Sequence, residues 1–159
     1  MNIISRTGDP DIAEVFVARF RNDPRLLAEF VDSRDPALPK EQKWVIIVST
    51  QFGCPVKCLM CDAGGDYQGD LTADEMFAQI DHVVGRYPKG LVNHCRKFKV
   101  QFARMGEPAL NHAVLDVIRK LPERYDNPNI IPCIATTAPS SASAWFEGLL
   151  KIKRTLYAG

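Results

Sequence analysis

The fold is decided by residues 44–84, which are WVIIVSTQFGCPVKCLMCDAGGDYQGDLTADEMFAQIDHVV. The apolar run at residues 44–48 contains several β-branched residues, which favours a buried strand over a helix. Residues 72–75, TADE, form a capping box that predicts the start of a helix. Between them, residues 51–70 form a loop rich in Cys and Gly. The stretch therefore predicts a strand, a loop and a helix.

The same order of elements is predicted twice more along the chain. Apolar and polar residues alternate over residues 98–102, and a helix capped near Asn111 follows. A third strand is predicted at residues 130–136, followed by a helix that begins near Ser143. Pro132 would remove a hydrogen-bond donor from this third strand, which favours a position at the edge of the sheet. Strands joined by helices run parallel, so the sequence predicts an α/β fold with about three parallel βα units, in an open sheet or part of a barrel.

The first part of the chain has a different pattern. Asp9-Pro10 and Asp23-Pro24 each precede apolar residues at helical spacing, and Asp-Pro is typical of a helix cap and first helical position. We therefore predict a short helical hairpin within residues 9–33. The predicted domains are an N-terminal helical extension, residues 1–43, and a core domain, residues 44–159.

Length and composition exclude several classes of protein. The chain has 159 residues, of which 46% are hydrophobic and 25% charged, as in a single globular domain. The formal net charge of +1 gives no support to a nucleic-acid partner, although such a partner stays open. No secretory signal and no apolar run of membrane-spanning length is present, so we expect a soluble cytoplasmic protein without a membrane partner.

Three of the five cysteines lie close together, at Cys54, Cys58 and Cys61, with the spacing C-x3-C-x2-C. They follow the first strand of the βα series, and in such folds the loops after the strands form the active site. Three thiolates at this spacing can hold three irons of a four-iron cluster and leave the fourth iron open. The alternatives are a zinc site that adds Cys95 or His94, and redox or structural thiols. The ligand number and spacing favour the cluster.

The remaining candidate residues have ordinary interpretations as well. Cys133 lies in the predicted third strand, where a free cysteine is expected in the core. His82 and His112 lie on predicted helices and are interpreted as surface or packing residues. Gly53 and residues 62–65 would give the backbone freedom to wrap around a cluster.

Two motifs resemble the radical S-adenosylmethionine (radical SAM) superfamily. Cys54, Cys58 and Cys61 after a first strand are similar to its cysteine signature. Residues 104–108, Arg-Met-Gly-Glu-Pro, at the end of the second strand resemble its Gly-Gly-Glu-type motif. The Met-Gly-Glu-Pro form resembles that of the branch containing the RNA adenine-methylating radical enzymes. The resemblance extends over residues 44–138.

The resemblance implies a 4Fe-4S cluster on the three cysteines, with S-adenosylmethionine (SAM) bound to its open iron. Such an enzyme cleaves SAM reductively to a 5′-deoxyadenosyl radical, which abstracts hydrogen from a substrate or serves in its methylation. By position, Gly106 and Glu107 would contact the methionine part of SAM, and Glu107 would accept a hydrogen bond from its ammonium group. Thr136 or Thr137 would touch the cofactor, and Met60 would pack near the adenine. An electron donor of flavodoxin or ferredoxin type is an implied partner.

Three departures from the family pattern are present. Met60 stands where the family commonly has an aromatic residue. The family core is a partial (β/α)6 barrel, whereas about three units are predicted here, so we expect the N-terminal half of such a protein, completed by a missing half or a partner chain. No counterpart of the methyl-carrying cysteine of the RNA-methylating enzymes is present. A non-catalytic zinc- or cluster-binding module, or an inactive truncated fragment, stays open as the alternative, and the substrate is undetermined.

Overall fold

A computed structural model of the protein describes residues 1–63 and 65–157. Its strands are β1 (Asn2–Asp9), β2 (Ala13–Arg19), β3 (Leu27–Arg34), β4 (Trp44–Val48), β5 (Gln51–Phe52), β6 (Gly69–Asp70), β7 (Phe98–Phe102) and β8 (Ile130–Ile134). Its helices are α1 (Ala73–Val84), α2 (Leu91–His94), α3 (Ala113–Tyr125) and α4 (Ser143–Leu156), with short 3-10 turns at Pro108–Leu110 and Ser140–Ala142. Across the described ranges, no helix has both the length and the apolar character that crossing a bilayer needs.

The three predicted βα units are present. β4, β7 and β8 pair in parallel, with Trp44 opposite Phe98 and Phe98 opposite Ile130. The Thr72 capping box opens α1 as predicted, and α4 begins at Ser143. β8 is the last strand of the described sheet, which agrees with the edge position expected from Pro132. It ends two residues earlier than predicted, so Thr136 lies in the loop after the strand.

The N-terminal prediction was wrong, because residues 2–34 form strands and not a helical hairpin. β1, β2 and β3 pair as an antiparallel meander, and β3 pairs antiparallel with β4. The six strands form one open, mixed sheet in the order β1-β2-β3-β4-β7-β8. The α/β class is therefore confirmed, with a sheet that is mostly antiparallel. The predicted domain boundary after residue 43 stays a prediction, although the residues before it form strands and not the expected helical extension.

The burial pattern explains why this segment is a strand. Phe16, Ala18 and Phe20 are buried while the residues between them are only partly buried, which is the period of two of a half-covered strand. Asp9 and Asp23 do not cap helices. The side chain of each accepts a hydrogen bond from the backbone N–H two residues later, at 2.8 and 2.9 Å, respectively. Both Asp-Pro pairs therefore belong to turns between strands.

Helices cover one face of the sheet. The side chains of β4 and β7 on this face are fully buried and join α1, α3 and α4 in one hydrophobic core. These strand residues are Trp44, Ile46, Val48, Phe98, Val100 and Phe102. The alternate residues of the same strands, on the other face, are only partly buried; they are Val45, Ile47, Lys99 and Gln101. The described chain therefore leaves this second face of the sheet uncovered.

A buried carboxylate joins the antiparallel meander to the βα units. Asp32 on β3 is 3% exposed and accepts hydrogen bonds from Lys40 Nζ at 2.5 Å and Trp44 Nε1 at 2.8 Å. The Tyr87 hydroxyl also donates to it. Burial and this hydrogen bond to Asp32 raise the pKa of Tyr87. Asp32 therefore satisfies polar groups from three parts of the chain at once.

We expect Asp32→Ala to lower the free energy of unfolding by about 3–5 kcal/mol, because it leaves a buried ammonium and indole N–H without partners. Urea denaturation measures the loss. Asp116→Ala is the control, since Asp116 forms an exposed pair with Arg119 at 2.6 Å and such pairs contribute about 1 kcal/mol or less. Equal losses in the two variants would contradict this role of Asp32.

Candidate functional site

The ends of the three parallel strands bring separate parts of the sequence together. Thr50, just after β4, donates its N–H to the carbonyl oxygen of Met105, just after β7, at 2.8 Å. Thr137, after β8, donates its N–H to Glu107 Oε2 at 2.7 Å. We call this place the carboxyl end of the sheet, where β4, β7 and β8 end. The Met-Gly-Glu-Pro motif and the predicted threonine therefore meet there, beside the segment that leads into the cysteines.

Glu107 is a buried carboxylate held entirely by neutral donors. It is 3% exposed, and its oxygens accept hydrogen bonds from Ala109 N at 2.9 Å, Thr137 N at 2.7 Å and Thr137 Oγ1 at 2.9 Å. The Thr136 hydroxyl also donates to it. In the described part of the chain, no Lys, Arg or His forms an ion pair with this carboxylate.

Two opposing effects determine the charge of Glu107. Burial raises the pKa of this carboxyl, but hydrogen bonds from Thr136, Thr137 and Ala109 lower it by more, so the pKa lies below its ordinary value. The group is therefore negative at neutral pH. The donors Thr136 and Thr137 are themselves exposed, so this negative charge lies directly beneath the protein surface.

Gly106 allows the motif to lie directly against the segment after β4. Its φ is +93°, and a Cβ atom would stand 2.6 Å from Gln51 Cβ and 2.7 Å from Thr50 Oγ1. Such distances are far inside van der Waals contact, so only glycine fits. This close approach lets the backbone N–H of Glu107 donate a hydrogen bond to the side chain of Gln51.

A network of buried amides supports this arrangement, and sequence reasoning missed most of it. Gln51 bridges Glu107 N and Asp70 Oδ1, each at 2.8 Å. Asn111 donates to the carbonyl oxygens of Thr50 and Leu71 at 2.7 and 2.8 Å, besides its predicted place at the start of α3. The signal in the sequence was a run of polar residues, Ser-Thr-Gln, directly after a buried strand.

The three cysteines lie on one loop whose two ends are joined. We call residues 53–68 the cysteine loop; β5 and β6 pair antiparallel at its base. Cys54 and Cys58 are half-buried, Cys61 is exposed, and all three are free thiols. Gly53 has a φ of +73°, and a Cβ there would meet the Asp66 carbonyl oxygen at 2.2 Å, so glycine is required where the loop begins.

Some predicted features of this loop are not brought into contact with the rest of the site. Met60 is 95% exposed, and its place near adenine stays a prediction. Of residues 62–65, Gly64 lies outside the described residues. Throughout residues 1–63 and 65–157, no three His, Cys, Asp or Glu side chains lie together as a metal-binding group. The chemistry of the donor set nevertheless fits an iron-sulfur cluster, because three unbonded thiols share one partly exposed loop at the carboxyl end.

The fold argues against the zinc alternative that adds Cys95 or His94. Both residues precede β7 and lie at the opposite, amino end of the parallel strands, about 13 Å or more from the cysteine loop by the length of a five-residue strand. Cys95 is fully buried, and its thiol donates to the Lys40 carbonyl oxygen at 3.0 Å. Burial raises the pKa of this thiol, which disfavours the thiolate that a metal needs.

The other candidate residues lie in packing or surface positions. Cys133 is half-buried on β8 opposite Gln101, so its predicted place in the core was wrong; an edge strand with one uncovered face cannot enclose it. His82 packs edge-on against the rings of Phe16 and Phe30, with centroids 5.2 and 5.7 Å away, as expected of a packing residue. His112 is exposed.

Comparison with known proteins connects this site to one class of enzymes. No protein-family model matches the chain. Several curated relatives are dual-specificity RNA methyltransferases named RlmN. The probable RlmN of Parasynechococcus marenigrum (strain WH8102) is 38% identical over 89 residues, which is 53% of this chain and 23% of the relative. The RlmN of Halorhodospira halophila is 32% identical over 75 residues, or 46% and 20% of the two chains.

A third relative matches almost the whole chain. The RlmN of Nautilia profundicola is 27% identical over 161 residues, which cover 97% of this chain and 42% of the relative. The chain thus spans from 20% to 42% of the length of these three proteins. The resemblance to the radical SAM superfamily, in the branch of the RNA adenine-methylating enzymes, is confirmed. More particularly, the chain is homologous to a portion of RlmN.

Gly106→Ala should lower the free energy of unfolding by about 2 kcal/mol or more, because the methyl group collides with Gln51 in addition to straining the backbone. Gly65→Ala is the matched control. Gly65 also has a positive φ, +59°, but among the described residues nothing lies within 4 Å of the position that its added methyl group would take, so strain alone should cost about 1 kcal/mol. Chemical denaturation compares the two, and similar losses would show that the contact with Gln51 is unimportant.

The lowered pKa of Glu107 also predicts a pH dependence. A carboxyl whose folded pKa lies below its ordinary value of 4.5 stabilises the fold above that pH, and this contribution disappears as the pH falls through the folded pKa. The stability difference between the wild type and Glu107→Gln should therefore shrink as the pH falls below about 4.5. Denaturation curves at several pH values test this. The exposed Glu123→Gln should show no comparable trend, and a pH-independent difference for Glu107→Gln would contradict the assignment.

Proposed function

We propose that this chain forms the cofactor-binding part of a radical SAM iron-sulfur enzyme that acts on RNA. The observation that supports it most is the meeting of a buried, cation-free carboxylate at Glu107 with the base of the cysteine loop. The base of the cysteine loop and the Glu107 motif, which are distant in sequence, are thereby neighbours at the carboxyl end, where enzymes with βα folds bind their substrates. The homology to RlmN favours this cofactor chemistry over an unrelated metal site.

Cys54, Cys58 and Cys61 would hold the cluster in this proposal. Three thiolates occupy three irons and leave one iron open for a ligand. When bound and reduced, such a cluster would supply the electron for the reductive cleavage of SAM. The polypeptide itself must orient the cofactor and limit access of water. The joined ends of the cysteine loop keep its base beside Glu107.

Glu107 would bind the amino group of SAM. Its negative charge has no cationic partner in the described chain, and an ammonium group would supply one through a charge-assisted hydrogen bond. Thr136 and Thr137 are exposed residues whose hydroxyls donate to this carboxylate, so they would contact the same part of the cofactor. The absence of a side chain at Gly106 permits the close backbone approach that places Glu107 there.

RNA is the proposed substrate, because the relatives are named as RNA methyltransferases. Methyl transfer is the corresponding reaction, with a flavodoxin- or ferredoxin-like electron donor as partner. We propose that residues 44–159 form the first part of a partial (β/α)6 barrel, extended beyond the edge of β8 by the remaining strands. In that arrangement the uncovered face of the sheet becomes the inner face of the barrel, towards the substrate.

Anaerobic reconstitution of the full chain with iron and sulfide should give a brown protein with about four irons per chain. Cys58→Ala should lose this iron, because it removes one of three ligands. Cys133→Ala is the matched control and should keep it, since Cys133 lies on β8 outside the cysteine loop. Iron analysis and absorbance spectra provide the measurement. A colourless protein with about one zinc would contradict the proposal.

Catalysis is tested by reducing the reconstituted protein in the presence of SAM. Formation of 5′-deoxyadenosine is the expected result. A protein that holds four irons but produces no 5′-deoxyadenosine would overturn the catalytic part of the proposal and favour a non-catalytic cluster-binding module.

A further inference from the structure

Gln51 lies between the two motifs of the proposed cofactor site. It is 1% exposed, and both ends of its amide are used. Its Oε1 accepts a hydrogen bond from the backbone N–H of Glu107, and its Nε2 donates to Asp70 Oδ1, each at 2.8 Å. The sequence separation from Gln51 to Glu107 is 56 residues, so this amide makes a tertiary connection.

Asp70, which accepts the hydrogen bond from the Gln51 Nε2, lies at the base of the cysteine loop. Gln51 and Asp70 stand opposite each other in the β5–β6 pair, which joins the two ends of that loop. The Tyr67 hydroxyl donates to the same Asp70 oxygen at 3.0 Å, and Arg21 donates to the Asp70 carbonyl oxygen at 3.3 Å. Asp70 is therefore itself held from several sides.

The aliphatic part of Gln51 is fixed as well. Its Cβ and Cγ lie 2.6 and 2.7 Å from the position that a Cβ on Gly106 would take. The side chain therefore packs directly against the glycine that precedes Glu107. Movement of Gln51 would displace both the base of the cysteine loop and the backbone of Glu107.

We propose that Gln51 is a positioning residue that keeps the cysteine loop and the Glu107 carboxylate in a fixed relation to each other. The inference rests on the proposed function, in which these two groups bind different parts of one cofactor. A ligand held at two points loses affinity when the points move apart by a fraction of an ångström. The bridge needs a side chain that accepts from an N–H at one end and donates to a carboxylate at the other, and the oxygen and NH2 group of the Gln51 amide supply both.

Reversing the polarity of the bridge tests this role. Gln51→Glu still accepts from the Glu107 N–H but presents a carboxylate to Asp70, so the two negative groups repel. Asp70→Asn in the same chain places an amide opposite the new carboxylate and restores a donor. The same NH2 group has a second N–H, which the oxygen of the Tyr67 hydroxyl can accept. The double variant should therefore recover what Gln51→Glu loses, which a double-mutant cycle quantifies.

The first measurement uses the metal-free chain. Hydrogen exchange of the Glu107 amide, followed by NMR, should be about tenfold faster than in the wild type in Gln51→Leu, which removes the acceptor, and in Gln51→Glu, where repulsion from Asp70 pushes the new carboxylate away from the Glu107 N–H. In the double variant the rate should return to near the wild-type value. This readout does not depend on any cluster.

The second measurement uses the reconstituted protein. The dissociation constant for SAM should rise about tenfold in Gln51→Glu, with iron content unchanged, and return towards the wild-type value in the double variant. Asn127→Asp is the matched control, because Asn127 is a buried amide at the amino end that donates to the Val92 and Cys95 carbonyl oxygens. This variant should destabilise the fold without changing the rate of hydrogen exchange at the Glu107 amide or the affinity for SAM.

The outcomes separate the two proposals. A double variant as impaired as Gln51→Glu, or a control that weakens SAM binding equally, would overturn the positioning role. Unchanged SAM affinity in Gln51→Glu would overturn it too, while leaving the proposed function intact. A wild-type protein that takes up no cluster or binds no SAM would overturn the proposed function and with it the role of Gln51 towards the cofactor.

Discussion

The parallel pairing of β4, β7 and β8 is the constraint on which the site depends. Parallel strands end on the same side of a sheet, so three loops that are distant in sequence become neighbours. Gln51 follows β4, Glu107 follows β7, and the donors Thr136 and Thr137 follow β8. An antiparallel arrangement of the same strands would place these groups at opposite ends of the sheet.

The buried polar groups at the two ends of the parallel strands, Asp32 and Asn127 at one end and Glu107 at the other, differ in the partners that they have. At the amino end, Asp32 and Asn127 satisfy fixed partners of the protein itself, so their role is structural. At the carboxyl end, Glu107 keeps a negative charge with neutral donors only. Buried charges normally have an opposite charge nearby. This asymmetry supports the proposed cofactor site at the carboxyl end and the interpretation of Cys95, at the amino end, as a core residue.

The proposed function depends on two levels of observation. The chain is similar to a portion of longer proteins named as RNA methyltransferases, and this similarity is the basis for proposing RNA as the substrate. The structure adds how that portion is organised, with Gln51 between the base of the cysteine loop and Glu107. In the proposed barrel, further strands would extend the sheet from the edge of β8, and the uncovered face would become the inner face.

Local patterns in the sequence determined the βα units and the two motifs. A β-branched run and a capping box at Thr72 are short-range signals, and the strand and helix that they predict were found where expected. The cysteine spacing is also a short-range signal. The N-terminal segment was mispredicted because its apolar residues match both helical and strand spacing, and only pairing with β4 decides between them. Only the tertiary structure revealed the Gln51 bridge and separated Cys95 from the cysteine loop. Both depend on which strands are neighbours and in which direction they run, and no local pattern of residues specifies this.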